Sequence, residues 1–237
     1  MDDQSCVPFT RSCFKGRFLI LLLLILAMLV LGPLVEEFIR LRMLMDIFWS
    51  AILIAAIYAL SQKKHHVPIA VLFALPMLGS IWSSYFVQYP VLQVVGGLCG
   101  GAFFIFAIIQ ILIFIYSHKK VTRDLIVGAA IVYLLLALAW TFIFQVVETV
   151  HPGSFSVPEL QSIAISRHFV YYSFVTITTL GYGDITPVTS LARSLSVLEA
   201  VIGQLYLVVQ VSWLVGVHVS QSIQERSHKG GSSYQSK

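Results

Sequence analysis

Long runs of apolar residues alternate with short polar segments along almost the whole of this chain. A helix needs about 20 apolar residues to cross a bilayer, and runs close to that length or longer recur through the sequence. They are Phe18–Val35, Met43–Leu60, Val67–Val87, Val91–Tyr116, Leu125–Val147 and Leu191–Val219. The pattern therefore predicts an all-α membrane protein with six transmembrane helices.

Composition and charge agree with this class of protein. The chain is 58% hydrophobic and 11% charged, whereas about a quarter of the residues are charged in soluble domains. Most of its Lys and Arg residues lie before the first run, in every second connecting segment and after the last run; the exceptions are Arg40, Arg42, Arg167 and Arg193. Since basic segments face the cytoplasm, we expect a multi-pass protein of the cell membrane with both termini cytoplasmic. The pI near 9.0 follows from this topology and does not indicate a nucleic-acid partner.

The fourth run, Val91–Tyr116, contains no Lys or Arg. A voltage sensor needs several such charges along one helix, because each contributes about 2.3 kcal/mol per 100 mV. We therefore expect residues 18–117 to form a four-helix membrane module without sensor charges. The glycine pairs Gly96-Gly97 and Gly100-Gly101 give two overlapping G-x-x-x-G spacings, which favour close helix packing.

An irregular segment, residues 178–184 (TTLGYGD), separates the last two runs. Irregular backbone at membrane depth must be buried in protein or face water. Gly181 and Gly183 can adopt positive φ, so that alternate carbonyls turn to one side, and Thr179 adds a hydroxyl. Several copies facing one another would form stacked rings of oxygens that replace the hydration shell of an ion.

The residues on either side of this segment predict a re-entrant loop and a polar stripe on the last helix. The outer segment Glu148–Ile165 contains Pro152-Gly153 and reads as a turret-like loop, and Ser166 is the expected N-cap of a short helix ending at Val175. In the sixth run, one face carries Ser196, Glu199 and Gly203, and a second face carries Gln204, Leu207 and Val211.

From Leu125 to Val219 the chain resembles the pore domain of tetrameric potassium channels, whose signature is T-V-G-Y-G-D. The resemblance implies a homotetramer in which K⁺ is bound by Thr179, Leu180, Gly181 and Tyr182, with Gly183 completing the selectivity filter. It implies that Tyr171, Tyr172, Asp184 and Glu199 support the filter, that Gly203 is a gating hinge, and that Gln204, Leu207 and Val211 line a cavity. Pro187 and Arg193 also stand at family positions.

With this resemblance the chain divides into five segments. They are an N-terminal cytoplasmic arm (1–17), the four-helix module (18–117), a cytoplasmic linker (118–124), the pore domain (125–220) and a flexible cytoplasmic tail (221–237). The module resembles no family that we can name.

The sequence departs from the family pattern at two positions. Leu180 replaces Val, which keeps the carbonyl but changes the packing behind it. Val175 stands where some members have a carboxylate that partners the filter aspartate. The resemblance then implies that Asp184 depends on a phenol, that of Tyr171, for its side-chain hydrogen bond.

Two acidic residues have competing interpretations, and the cysteines have one. Asp46 lies in the second run, about one turn from Arg42, and a local ion pair is expected there rather than a functional site. Glu199 is either a neutral or hydrogen-bonded carboxyl behind the filter or a proton-sensitive control of it. Three cysteines, Cys6, Cys13 and Cys99, do not make a disulfide framework.

The function expected is passive, potassium-selective conduction, with three further copies of the chain, the bilayer and K⁺ as partners. A channel of relaxed K⁺/Na⁺ selectivity is the alternative that Leu180 leaves open. A carrier or non-conducting scaffold is a third possibility, although only one interrupted segment exists and carriers often have two. The intramembrane polar residues form no nucleophile–base set, so neither an enzyme nor a cofactor is expected.

Overall fold

The computed structural model of the chain describes residues 17–36, 42–60, 66–85, 89–118, 121–157 and 165–232. Side chains are described for most of these residues and, at the C-terminal end, as far as Gln221. The predicted N-terminal arm and the basic connector before His66 therefore lie almost entirely outside the described residues.

The described residues form seven helices and two short strands. The helices are α1 (Arg17–Glu36), α2 (Arg42–Leu60), α3 (His66–Ser83), α4 (Pro90–Ser117), α5 (Arg123–Val150), α6 (Ile165–Ile177) and α7 (Ser190–Ser232). The strands β1 (Phe155–Ser156) and β2 (Thr186–Pro187) pair antiparallel, with Phe155 opposite Pro187. The protein is thus mostly helical, with one small strand pair that the all-α prediction did not include.

Among the described residues, three helices are long and apolar enough to cross a membrane: α4, α5 and the Ser190–Gln221 part of α7. The first three apolar runs also form helices, whose apolar parts within the described residues are Arg17–Leu31, Asp46–Leu60 and Val67–Ser83. The structure therefore supports a membrane protein, and the number of its spans stays a prediction.

Helix α4 packs along α5 through its glycines, as the G-x-x-x-G spacing predicts. A Cβ at Gly97 would lie 2.7 Å from Cγ2 of Val146, and one at Gly100 would lie 2.9 Å from the Phe142 ring. Such separations are too short for any larger residue, so the glycines set the distance between the two helices. The N-terminal module thereby lies directly against the C-terminal part of the same chain.

Two apolar clusters fill the interior. The larger one joins α1 to α5 and includes Phe103, Phe104 and Ile111 of α4 and Leu135 of α5. The smaller one joins α5, β1, α6 and the start of α7, with Phe144, Phe155, Phe169 and Tyr172 among its members. The second cluster positions the segment that follows α6.

The last helix is longer than the sixth apolar run, because it continues to Ser232 through residues expected to form a cytoplasmic tail. Residues 220–229 are mostly polar and contain neither Gly nor Pro, and polarity by itself does not end a helix; Gly230 and Gly231 follow in its last turn. Residues 233–237 lie outside the described part of the chain.

Two other boundaries also differ from prediction. Helix α3 ends at Ser83 rather than Val87; the Ser83 and Ser84 hydroxyls donate to the carbonyls of Ser80 and Ile81, a contact that competes with continued helix. Helix α6 begins at Ile165 and ends at Ile177, so Ser166 lies in its first turn and is not the N-cap.

Candidate ion-conduction site

Helix α6 is held in place by aromatic side chains from two other elements. Phe155 of β1 lies with its ring centroid 5.0 Å from that of Phe169 and 5.3 Å from that of Tyr172, both on α6. Phe144 of α5 is 5.1 Å from Tyr172 in an edge-to-face arrangement. Sequence reasoning singled out Tyr172 but missed Phe155, whose one signal was a bulky apolar residue within a polar segment.

The segment after α6 uses the last carbonyls of that helix. The amide of Thr179 donates to Thr176 O at 2.9 Å, and those of Leu180 and Gly181 donate to Val175 O at 2.9 and 3.3 Å. These bonds satisfy carbonyls that a helix end leaves open. They also direct the N–H groups of residues 179–181 back towards α6.

Backbone conformation alternates along this segment. Thr179, Gly181 and Gly183 have φ of 60°, 57° and 81°, and Thr179 is the one non-glycine residue with positive φ in the described part of the chain. Positive φ at the two glycines is as predicted, and residues that alternate in this way can turn successive carbonyls to a common side. Sequence reasoning did not expect it at Thr179, because a β-branched residue at positive φ is strained.

The side chains of this segment are not covered by their own chain. Leu180 is 55% exposed and Tyr182 67% exposed, and a Cβ at Gly181 or Gly183 would meet nothing within 4 Å. More than half of the Leu180 side chain is therefore left uncovered by its own chain, at the position where the resemblance puts the difference from Val.

After Gly183, side-chain and backbone contacts connect the chain to α6 and to the loop that contains Ser154. The Tyr171 phenol and the Asp184 carboxylate interact electrostatically, and the Ile185 amide donates to Asp184 Oδ1 at 3.0 Å. Past β2, the Val188 amide donates to Ser154 O at 2.8 Å. Arg193 Nε of α7 donates to Pro187 O at 3.2 Å.

Glu148 at the outer end of α5 organises the loop that carries Ser154 and Phe155. Its Oε1 accepts the Gly153 amide at 2.8 Å, and its Oε2 accepts the Phe155 amide at 3.1 Å. Gly153 has φ of 84°, which a glycine adopts without strain. Sequence reasoning placed a loop here but missed this role of Glu148, since an acid at the end of a helix gives no specific signal.

One face of α7 is buried within the chain, and this face contains the predicted polar residues. Ser196, Glu199 and Gly203 are all buried, with Glu199 at 0% exposure. The Ser196 hydroxyl lies 2.6 Å from the Tyr172 hydroxyl, and Glu199 Oε1 lies 2.5 Å from the Ser173 hydroxyl. Both side chains thus contact α6.

Gly203 lies against the last residue of α6. A Cβ there would be 2.4 Å from Ile177 Cγ1 and 3.1 Å from Ile177 O. The same carbonyl accepts the Tyr133 hydroxyl of α5 at 3.0 Å. Helix α7 runs through Gly203 without interruption, so the glycine has a packing role here, and hinge motion stays a prediction.

Gln204, Leu207 and Val211 lie on an exposed face of α7. Among the described residues, 11% of the apolar part of α7 is buried within the chain, compared with 61% for α5. Most of the surface of this part of α7 is therefore exposed in the single chain.

At each end of the N-terminal module, one side-chain hydrogen bond has a partner that was not predicted. Asp46 Oδ2 accepts the Tyr85 hydroxyl, while the Arg42 side chain, its expected partner, lies outside the described residues. At the other end, Tyr116 of α4 donates to Gln210 Oε1 of α7 at 3.2 Å and packs edge-on against Trp213. Neither α7 residue was expected to contact the module.

Residues 121–218, which run from just before α5 into α7, match a protein family described as an ion channel. The match covers 98 of the 237 residues and supports a channel for ions in this part of the chain. No curated protein and no solved structure matches the chain.

Proposed function

We propose that this channel is selective for K⁺ and conducts it passively as a homotetramer. The observation that carries the proposal is the alternation of left-handed residues at Thr179, Gly181 and Gly183. This alternation supports a short column of carbonyl oxygens with a common orientation, and such oxygens are the ligand set that replaces the hydration shell of K⁺.

One column cannot enclose an ion, so the proposal requires other copies of the chain. The exposed side chains of Leu180 and Tyr182, and the large unburied surface of α7, are where neighbouring subunits would pack. Four columns around one axis would form rings from the carbonyls of Thr179, Leu180, Gly181 and Tyr182, with the Thr179 hydroxyl at the inner end. Gln204, Leu207 and Val211 would then line the cavity below.

The carboxyl end of α6 adds an electrostatic contribution. A helix carries a partial negative charge at its C-terminus, and α6 ends at Ile177, directly before the carbonyl column. In a tetramer four such ends would face a cation in the cavity. We place the protein in the cell membrane, with several spans and both termini cytoplasmic.

A channel of relaxed K⁺/Na⁺ selectivity is the second candidate, favoured by Leu180. Its side chain is 55% exposed in the single chain, so the packing behind the filter depends on what a neighbouring copy offers. A longer side chain than Val at this position would widen or loosen the carbonyl rings. The two candidates differ only in the permeability ratio.

The test is the reversal potential of purified protein in planar bilayers under opposed K⁺ and Na⁺ gradients. A potential near that of K⁺ supports the proposal, one midway supports relaxed selectivity, and absence of current supports a scaffold. Gly183→Ala should abolish selectivity. Gly153→Ala is the matched control, because Gly153 has a similar φ of 84° and equally free space around it but lies in the outer loop. Equal loss in both variants would refute the filter assignment.

A further inference from the structure

Three elements of the channel domain meet at the buried carboxyl of Glu199. Glu199 lies on α7, Ser173 on α6 and Ala137 on α5. All three residues are buried, with an exposure of 0%. The Ser173 hydroxyl is the atom that joins them. Its Oγ lies 2.5 Å from Glu199 Oε1 and 2.7 Å from the Ala137 carbonyl oxygen.

The two short contacts of Ser173 fix where the hydrogens must be. Oxygen atoms at these separations need a hydrogen between them, and a hydroxyl supplies one only. The Ala137 carbonyl has no hydrogen, so Ser173 donates to it. The Thr141 hydroxyl oxygen lies 3.0 Å from the same Ala137 carbonyl oxygen and 3.4 Å from the Phe169 carbonyl oxygen. The hydrogen between Ser173 and Glu199 must therefore come from the carboxyl group.

The surroundings of Glu199 agree with an uncharged carboxyl. Its Oε2 is buried and has no hydrogen-bond partner among the described residues. None of the described Lys, Arg or His side chains forms an ion pair with it. The ionisable groups that face it are the phenols of Tyr133 on α5 and Tyr172 on α6. A buried carboxylate without a cation or a full set of donors is very unfavourable.

We infer that Glu199 is a neutral carboxylic acid at neutral pH, that it donates to Ser173, which in turn donates to Ala137, and that this chain of hydrogen bonds positions α6. Glu199 thus acts as a positioning residue for α6 and not as a ligand of the ion. Its effect on the filter rests on the proposed function, because the filter segment begins directly after α6. The state of the carboxyl does not depend on that function.

The test is infrared difference spectroscopy on purified protein in lipid at neutral pH, where an exposed glutamate with its ordinary pKa of about 4.3 is ionised. The wild-type minus Glu199→Gln spectrum should show the carbonyl band of a protonated acid. Ser173→Ala should keep that band and move it, because the acid loses its acceptor. Glu148→Gln is the matched control: it removes another glutamate of the same domain and should leave the acid band unchanged.

The spectra can overturn the inference directly. A loss of carboxylate bands instead of an acid band in Glu199→Gln would show that Glu199 is ionised. An acid band that Ser173→Ala leaves in place would show that the carboxyl does not donate to that hydroxyl. Neither outcome depends on whether the protein conducts K⁺.

The positioning role has its own measurement. Glutamine keeps a donor towards Ser173, whereas leucine of similar size has none, so the K⁺/Na⁺ permeability ratio should fall about tenfold further in Glu199→Leu than in Glu199→Gln. Equal ratios in the two variants would overturn the positioning role. If the wild-type protein shows no K⁺ selectivity, the same pair is compared by amide exchange in the peptide that contains residues 178–183. Exchange there should then be about tenfold faster in Glu199→Leu, and equal exchange would overturn the role.

Discussion

Replacing Gly203 by alanine tests whether this position serves packing or flexibility. The new methyl carbon would lie 2.4 Å from Ile177 Cγ1 and 3.1 Å from Ile177 O. Ordinary carbon–carbon contacts are about 3.5–4.0 Å, so α7 and the end of α6 would have to separate by roughly 1 Å. The displaced residue, Ile177, is the last one before the filter segment.

The cost of such overpacking is about 1–3 kcal/mol. Gly216 is the matched control, because it lies on the same helix and a Cβ there would meet nothing within 4 Å. Gly216→Ala gains about 0.5–1 kcal/mol of helix propensity and loses no packing. Gly203→Ala should therefore unfold at a lower temperature than wild type, and Gly216→Ala at the same or a higher one.

The assay is thermal unfolding in lipid nanodiscs, combined with flux of K⁺ through the same preparations. Ile177→Ala removes the carbon atoms that the new methyl would meet, so the double variant should be more stable than the two single losses predict. A hinge role gives a different result, since truncating Ile177 does not restore backbone flexibility at residue 203. Equal stability of Gly203→Ala and Gly216→Ala, or additive losses in the double variant, would refute the packing argument.

Three other predictions concern the filter and the N-terminal module. Tyr171→Phe and Asp184→Asn should each shorten sustained K⁺ current at low external K⁺, and the double variant should lose less than the sum, because both remove one hydrogen bond; additive losses would exclude the coupling. Thr179→Ala should lower conductance or the K⁺/Na⁺ permeability ratio by removing the innermost hydroxyl, as bilayer recordings would show. Open probability should change little between about −100 and +100 mV, since α4 has no basic residue, and an apparent gating charge above about four per tetramer would contradict this.

The sequence predicted the parts of this protein that depend on local pattern. Apolar runs gave the positions of the long helices, because a helix in lipid needs a continuous apolar stretch and little else. The glycine spacing in α4 predicted its close contact with α5, since small residues permit that approach whatever the partner is. The signature at 178–184 predicted positive φ at Gly181 and Gly183 for a similarly local reason.

The sequence did not predict where these patterns stop. Helix α7 continues to Ser232 through polar residues, although the composition there is that of a tail. Helix α3 ends early where serine hydroxyls bond its carbonyls. The end of α3 thus coincides with hydrogen bonds of single residues, which a hydropathy pattern averages out.

Only the tertiary structure decided which distant residues meet around the filter segment. Glu148 lies on α5 and Phe155 on β1, while Ser173 and Glu199 lie on different helices and are far apart in sequence, so no spacing rule connects them. Thr179 takes a conformation that its own side chain disfavours, and the amide bonds to the end of α6 hold it there. A residue in such a strained conformation costs about 1–3 kcal/mol, and several tertiary contacts acting together offset that cost.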